Sequence, residues 1–311
     1  MTTKFAYLSG YIDGDGCVYA RTYIQKPKLI KVYEGSVQIC SVNEEICRYF
    51  SEQFLGKYSK RPEKRLNRKP TWIWTLKGIR CLHVLQKCFA LLILKKTSSF
   101  HLVELIQDIF MSNPCRNKKI PESTHIKRQE IIKKIKEEIH MSDRVSEENF
   151  SSLKKLSQSF EPSRADFAYI AGLIDAEGCF RIKHWQPKRE GRNENWVISL
   201  EIGNTKFSIF PWLIERFGGS VIYRKPTTQR HNPMIIWSLS SDALYRFAKN
   251  VFPFLRVKKE RCEKLIHFHQ TNTPNGGDRN SIEFRNHICD LLMTRKKLFD
   301  EFQILNKKGR H

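Results

Sequence analysis

Residues 5–20 read FAYLSGYIDGDGCVYA, and residues 167–182 read FAYIAGLIDAEGCFRI. In both stretches an aromatic–Ala–Tyr start leads into an apolar run with small residues, and then into Asp, a small residue, an acid and Gly. The last acid, Asp15 or Glu177, lies ten residues after the first phenylalanine in each copy. Composition does not supply agreement of this length, so the chain is predicted to contain two copies of one structural unit.

Small residues recur about one turn apart in both stretches, which predicts helices with a flat face. Such a face lets two helix backbones approach closely. A glycine within a helix costs roughly 0.5–1 kcal/mol relative to alanine, so we expect a close crossing of the two helices to offset that cost. The predicted interface residues are Gly10, Gly14, Gly172 and Ala176.

Each predicted helix ends on an acid that is followed by a glycine. A carboxylate at a helix C-terminus is unfavourable, because the helix dipole there favours cations by roughly 0.3–1 kcal/mol. If the helices cross as a pair, Asp15 and Glu177 also repel each other. A divalent cation between them would relieve both penalties. The alternative is that both are ordinary exposed acids at helix ends.

The two stretches resemble the duplicated LAGLIDADG motif of homing endonucleases in their single-chain form, because the nine-residue signature occurs twice, as LSGYIDGDG and IAGLIDAEG. The resemblance implies double-strand DNA cleavage at a long site with Mg²⁺ or Mn²⁺, and binding of Ca²⁺ without cleavage. The metal-binding acid of the family is the last of the signature, which corresponds to Asp15 and Glu177. The earlier acids, Asp13 and Asp175, correspond to a structural position or one just outside the metal site.

The resemblance also implies an α/β (α+β) fold of two αββαββα units that pack through the motif helices, with antiparallel sheets forming a saddle for DNA. The repeat continues beyond the motif, since Gly56 and Gly219, like Trp74 and Trp237, are 163 residues apart. We expect an N-terminal unit over residues 1–110, a linker with a surface helix over 111–161, a C-terminal unit over 162–270 and a helical extension over 271–311.

Alternating residues after each motif predict strands with one buried face and one polar, basic face. The polar face has side chains that can contact base edges in a major groove, and the basic loop at 57–69 can follow phosphates. A solvated sheet face is the alternative for any single residue. The predicted DNA-binding residues are Tyr19, Arg21, Tyr23, Gln25, Ser36, Gln38, Lys64, Arg65, Arg68, Lys69, Arg181, Lys183, Trp185, Ser199, Glu201 and Arg230.

A lysine closes an apolar run at the same offset in each copy, as Lys95 and Lys258. By the resemblance, a basic residue at this point lies near the cleavage centre, where it stabilises phosphate charge or helps to activate water. A lysine that caps a helix is the alternative. Lys96 and Lys259 lie one position further along.

The charge of the chain indicates its partner. The 311 residues have a formal net charge of +23, which predicts an anionic polymer. No apolar run approaches the roughly 20 residues that a membrane helix needs, so no membrane is expected. Nine cysteines lack zinc-ligand spacing, and their odd number predicts reduced thiols inside a cell.

The first motif begins at Phe5, so we expect no cleavable presequence. The predicted location is intracellular: a mitochondrion or chloroplast if the gene is encoded there, otherwise the bacterial cytoplasm.

The predicted activity is hydrolysis of one phosphodiester in each strand near the middle of the target, which leaves short 3′ overhangs. Two copies in one chain predict a monomer and, because the polar faces of the copies differ, a non-palindromic target in double-stranded DNA. The gene is expected to lie in an intron. The main alternative is a maturase that assists splicing of its host intron RNA, alone or besides cleavage; an intein, or a regulator with degenerate acids, is disfavoured because both acids are present.

Overall fold

The computed structural model describes residues 2–26, 30–61, 69–112, 120–141, 143–185, 195–226, 228, 232–271 and 282–309. The N-terminal half runs α1 (Thr3–Asp15), β1 (Gly16–Gln25), β2 (Ile30–Ser41), α2 (Glu44–Phe54), β3 (Lys57–Arg61), β4 (Thr71–Lys77), α3 (Gly78–Cys88), α4 (Lys96–Ser112) and α5 (Glu122–Met141). A short helix, α6 (Glu147–Leu153), follows. The C-terminal half runs α7 (Arg164–Glu177), β5 (Cys179–Trp185), β6 (Asn195–Asn204), α8 (Ile209–Phe217), β7 (Ser220–Arg224), β8 (Met234–Ser240), α9 (Ser241–Val251), α10 (Lys259–Gln270) and α11 (Ile282–Gly309).

Each half contains one four-stranded antiparallel sheet, with strand orders β1-β2-β4-β3 and β5-β6-β8-β7. The two orders are the same when the halves are superposed by their repeat, which confirms the predicted pair of αββαββα units. One face of each sheet packs on helices and the other is polar. On the inner face Trp74 and Trp237 are fully buried, and their indole N–H groups donate to the backbone oxygens of Leu55 and Gly218.

The two halves meet where α1 crosses α7. A Cβ atom added to Gly10 would lie 1.9 Å from the backbone oxygen of Tyr169, and one added to Gly172 would lie 2.0 Å from that of Tyr7. Any side chain at these two positions would collide with backbone, which cannot move aside as a flexible side chain does. The small residues that the sequence places on this helix face are therefore required by the crossing.

Helix α5 is not the surface helix that its Lys- and Glu-rich composition predicts. Its buried face carries Ile131, Ile132 and Ile135. Arg128 is also buried, with its guanidinium 5.3 Å from the ring centre of Tyr33 and its Nε 2.7 Å from a carboxylate oxygen of Asp108 in α4. The helix therefore closes the inner side of the first sheet, and its exposed face accounts for the composition.

Helix α11 repeats this arrangement in the C-terminal half. Arg295 is buried, with its guanidinium 4.8 Å from the ring centre of Phe268 and 6.0 Å from that of Trp196. Trp196 follows Tyr33 by 163 residues, the spacing of the whole repeat. Phe302 of α11 is fully buried as well. The predicted C-terminal extension is therefore the second copy of α5.

One predicted helix is shorter than expected. The apolar run at 78–94 predicts a single helix, but α3 ends at Cys88, and a turn leads to α4, which begins at Lys96. This turn brings Lys95 against the end of α1. No helix of the described residues has the length and apolar character needed to cross a membrane, and the cysteines within those residues are all free thiols.

The crossing predicts a steep stability loss on substitution. Gly10→Ala or Gly172→Ala should lower the free energy of unfolding by at least about 1–3 kcal/mol, the range of overpacking in a core, despite the better helix propensity of alanine. Urea unfolding measures the change. Gly203→Ala is the control, because its added Cβ would meet first the flexible end of Met234, at 3.0 Å. Equal stability of all three variants and the parent would contradict the close crossing.

Candidate active site

Asp15 and Glu177 are the last residues of α1 and α7, and the two helices stay in contact down to these ends. A Cβ added to Gly14 would lie 2.5 Å from the Cβ of Ala176 and 3.4 Å from the Cγ of Glu177. Each acid is followed by a glycine at which the chain leaves the helix and enters a strand. The helix crossing thus places the two carboxylates side by side at the boundary between the sheets.

The electrostatic environment of Glu177 favours a protonated carboxyl. Burial, in the first place, raises its pKa to about 7, and the negative charge of Asp15 adds to the rise. Lys95, Lys258 and a hydrogen bond at 3.1 Å from Nδ2 of Asn204 act in the opposite direction. A bound cation would reverse the balance, because it favours the ionised form.

Asp15 is exposed to solvent on one side. The protein on its other side displaces water and raises its pKa, and Lys258 and Lys95 partly offset the rise. Within the described residues its carboxylate has no hydrogen-bond partner, and that of Glu177 accepts one hydrogen bond. Both groups therefore keep oxygen atoms available for a ligand that approaches from the sheet side.

The two acids fit a divalent cation that takes most of its ligands from elsewhere. Among the described residues no group of three or more His, Cys, Asp or Glu side chains is arranged to hold a metal ion. Mg²⁺ is commonly bound by one or two carboxylates, with water and phosphate oxygens completing its octahedral shell. Asp15 and Glu177 offer that donor set.

Lys95 closes the C-terminal end of α1. Its ammonium group donates hydrogen bonds to the backbone oxygens of Ile12, Asp13 and Gly14, at 2.6, 2.9 and 2.9 Å. These are carbonyl groups that a helix end leaves without an internal partner, and the cation also complements the helix dipole. Burial lowers the pKa of Lys95, and the negative charges of Asp13 and Glu177 partly oppose that shift.

Lys258 occupies the same position at the end of α7. Its ammonium group donates to the backbone oxygens of Ile174 and Ala176, at 2.6 and 3.3 Å. Burial lowers its pKa to about 8, and Asp175 and Asp15 oppose the shift. Both lysines thus make the capping contacts of the alternative interpretation. They also lie within electrostatic reach of Asp15 and Glu177, so a role in cleavage stays a prediction compatible with this geometry.

Asp13 is buried and holds the turn that precedes α4. Its carboxylate accepts hydrogen bonds from the backbone N–H groups of Ile93 and Lys95, at 2.7 and 2.9 Å, and from the hydroxyl of Tyr169 at 2.6 Å. Burial raises the pKa of Asp13, and these hydrogen bonds partly offset the rise. Since Tyr169 belongs to α7, the carboxylate also links the two halves.

Asp175 makes the reciprocal contacts. It accepts from the backbone N–H groups of Arg256, Val257 and Lys258, at 2.7, 3.1 and 2.8 Å, and from the hydroxyl of Tyr7 at 2.7 Å. The carboxylates of Asp13 and Asp175 are therefore occupied by the protein itself. Both acids position the segments that carry the two capping lysines, which is the structural role allowed for them in the sequence analysis.

Asn204 and Lys206 belong to the site and were not predicted. The backbone N–H of Lys206 donates to Oδ1 of Asn204 at 2.9 Å, which orients the amide so that its Nδ2 donates to Glu177. Lys206 also lines a cavity with Lys95. The residues 163 positions earlier are Ser41 and Asn43. Because the residue types differ between the copies, the repeat gives no signal for this pair.

Most of the predicted DNA-binding residues lie on the outer face of the sheets. Exposed positions are Tyr19, Arg21, Tyr23, Gln25, Arg181 and Trp185, and half-buried ones are Gln38, Lys69, Lys183 and Glu201. Two carboxylates organise the cations on this face. Glu34 pairs with Arg21 and Lys77, at 2.9 and 3.0 Å, and Glu201 pairs with Lys183 and Arg181, at 2.8 and 3.3 Å. Lys64, Arg65, Arg68 and Arg230 lie outside the described residues.

Ser36 and Ser199 correct one expectation, since both are buried rather than exposed. They do belong to the outer face, because their strand neighbours alternate as predicted. Residues directly opposite each other in a sheet point to the same side, so Tyr19 and Lys77 flank Ser36, as Arg181 and Ser240 flank Ser199. A short side chain beside longer ones is covered by them.

No family model matches this sequence, and no curated protein matches it. Solved structures do. The structure of I-SmaMI bound to an uncleaved DNA target in the presence of calcium ions is similar over 95% of this chain and 97% of that chain, with a TM-score of 0.64 and 13% identity.

A second structure, the I-SmaMI LAGLIDADG homing endonuclease bound to cleaved DNA, is similar over 95% of each chain, with a TM-score of 0.61 and 13% identity. The LAGLIDADG homing endonuclease I-GzeII in complex with its DNA target is similar over 92% of this chain and 96% of that chain, with a TM-score of 0.59 and 11% identity. At these identities the likeness concerns the fold. This chain therefore has the two-domain fold of the LAGLIDADG homing endonucleases.

Proposed function

We propose that this protein is a site-specific DNA endonuclease that hydrolyses one phosphodiester in each strand of a duplex with the help of a divalent cation. One observation carries the proposal: Asp15 and Glu177 stand side by side at the ends of two crossing helices, each end closed by a buried lysine. Two carboxylates at a C-terminal helix end destabilise a protein, so a ligand that requires them explains their presence.

The proposed cation is Mg²⁺ or Mn²⁺, held by Asp15 and Glu177, and Ca²⁺ is proposed to bind there without supporting cleavage. Calcium ions accompany the DNA-bound structure of I-SmaMI, which supports a divalent cation in this fold. When bound, the metal stabilises negative charge on the phosphate and lowers the pKa of water. The raised pKa of Glu177, about 7, is the cost of holding this site ready.

The chain's own residues then position and neutralise. Asn204 fixes the direction of the Glu177 carboxylate by a hydrogen bond. The buried ammonium groups of Lys95 and Lys258 keep positive charge beside the place where the phosphate becomes more negative. Water supplies the oxygen that forms the new bond to phosphorus, the bond from phosphorus to the leaving oxygen breaks, and that oxygen gains a proton. A lysine with a pKa of about 8, as in Lys258, is suited to exchange that proton with solvent.

Duplex DNA is the proposed substrate because the outer sheet faces carry exposed cations and aromatic groups in a chain of net charge +23. I-SmaMI and I-GzeII are bound to DNA targets in their structures. The outer strands present Tyr19, Arg21 and Tyr23 in one half but Arg181 and Trp185 in the other, which favours a non-palindromic target read by a monomer. Cleavage at the central seam is proposed to leave short 3′ overhangs.

We further propose that the gene lies in an intron and that the enzyme works in the organelle or bacterial cytoplasm that houses it. Binding of the host intron RNA would use the same basic surface.

Removal of one carboxylate tests the site. Asp15→Asn and Glu177→Gln should each reduce cleavage by on the order of 10³-fold or more, the scale seen when a key electrostatic group is lost, and should leave DNA affinity within about threefold. Gel-based cleavage and fluorescence anisotropy measure the two effects on a duplex recovered by selection from a randomised library. Glu148→Gln, which neutralises an exposed acid of α6, is the matched control. Equal loss of binding and cleavage would disprove the assignment.

The protonation of Glu177 makes the effect of metal on stability pH-dependent. Its folded pKa of about 7 exceeds the ordinary value of 4.5, so the folded state binds the extra proton between these values. Without metal, the Glu177 contribution to stability therefore falls as pH rises from about 4.5 to 7. Mg²⁺ must displace that proton, so the rise in Tm caused by Mg²⁺ should be larger at about pH 8 than at about pH 6. Differential scanning calorimetry with EDTA controls measures it, and Glu177→Gln should abolish it. A pH-independent rise in Tm would contradict the site.

Binding to DNA should weaken steeply with salt. A protein that neutralises six to ten phosphates loses about 10³- to 10⁵-fold in affinity between 50 mM and 200 mM salt, and the two basic sheet faces are expected to reach that range. Anisotropy titrations at several salt concentrations give the slope. A nearly flat response would exclude the sheet faces as the DNA-binding surface.

A further inference from the structure

Each capping lysine lines a cavity, and the two cavities occupy equivalent positions in the two halves. The first has a volume of about 150 Å³ and is lined by Gly16, Cys17, Lys95 and Ser98, among others. The second has a volume of about 380 Å³ and is lined by Gly178, Cys179, Lys258 and Arg261, among others. Ser98 and Arg261 are 163 residues apart, so they are the same position of the repeat. The duplicated unit has therefore diverged at this position, from a hydroxyl to a guanidinium.

The charges that line the two cavities differ. Lys95 and Lys206 line the first cavity, together with the carboxylate-bearing Glu138 of α5. The second is lined by four cations, Lys258, Arg261, Arg181 and Lys183, and by no acid among the described residues.

The equivalent helix α11 contributes two amides, Gln303 and Asn306, where α5 contributes Glu138. Glu201 lies outside the lining and pairs with Arg181 and Lys183, which leaves Lys258 and Arg261 as the cations that this acid does not contact. The second cavity is therefore the more positive of the two.

The geometry of Arg261 suits a phosphate group. One of its terminal nitrogens donates to the backbone oxygen of Leu305 in α11 at 3.1 Å, which holds the guanidinium against that helix. A guanidinium has five N–H donors in a planar fork that matches a phosphate. At the equivalent position the hydroxyl of Ser98 already donates to the backbone oxygen of Lys95, at 3.1 Å. Only the second cavity thus offers a fixed cation beside its capping lysine.

We propose that Arg261 binds a backbone phosphate of the DNA strand that is cut beside Lys258, and that this strand is consequently cut before the other. Arg261 is a positioning residue in this scheme, and the proposal rests on the endonuclease function proposed above. A phosphate in this cavity holds its strand in place while charge develops at the neighbouring phosphodiester. The strand beside Lys95 lacks that contact and faces Glu138 instead.

Strand-resolved cleavage tests the proposal. The probe is the selected duplex with a different fluorophore on each strand, cut under single-turnover conditions with Mg²⁺. The parent protein should accumulate a nicked duplex in which one particular strand is cut first. Arg261→Ser should slow that strand by on the order of tenfold, the value of one charged hydrogen bond, and leave the other within about twofold. Arg261→Lys should restore part of the rate.

The reciprocal variants address the other strand. Ser98→Arg, which copies the second cavity into the first, and Glu138→Gln, which removes the acid, should each speed the strand that is cut second. Arg246→Ser removes an exposed arginine of α9 that lines neither cavity, and it should change neither rate.

Three results would overturn the proposal: equal rates for the two strands in the parent, equal slowing of both strands by Arg261→Ser, or slowing of the second strand alone. A parent protein that binds the duplex but cuts neither strand would overturn the endonuclease function and this proposal together. Cleavage of both strands at one rate would overturn this proposal alone.

Discussion

The contact of two helix backbones at Gly10 and Gly172 is the constraint on which the rest of the structure depends. Because nothing larger than hydrogen fits between α1 and the backbone of α7, the axes of the helices approach as closely as the main chain allows. That approach brings their C-terminal ends together and leaves two acids facing each other. A wider crossing, held by larger side chains, would separate Asp15 from Glu177 and leave two ordinary helix ends.

A second set of interactions fixes what surrounds those ends. Asp13 and Asp175 each accept backbone hydrogen bonds from the segment that precedes a helix of their own half, and a tyrosine hydroxyl from the other half. The same segments deliver the capping lysines. Helix crossing, turn position and lysine position are therefore mechanically connected, so the electrostatics of the centre follow from the fold rather than from mobile surface groups.

The sequence predicts those parts of the molecule that both copies share. The paired motifs, the sheet order and the positions of Asp15 and Glu177 follow from identical spacing. Asn204 and Lys206 escape prediction because their counterparts, Ser41 and Asn43, have other side chains. The burial of Ser36 depends on the length of its cross-strand neighbours, and the burial of α5 depends on tertiary contacts such as that of Arg128 with Asp108. Neither is visible in a period of hydrophobic residues.

The equivalence of α5 and α11 changes how the basic C-terminal segment is understood. It forms a wall of the second half, since Arg295 lies against the rings of Phe268 and Trp196 and Phe302 is enclosed. Loss of α11 would bring those rings into contact with water and open one side of the cavity at Lys258. The ancestral duplication therefore involved a longer piece than the signature suggests: a whole unit together with the helix that covers its sheet.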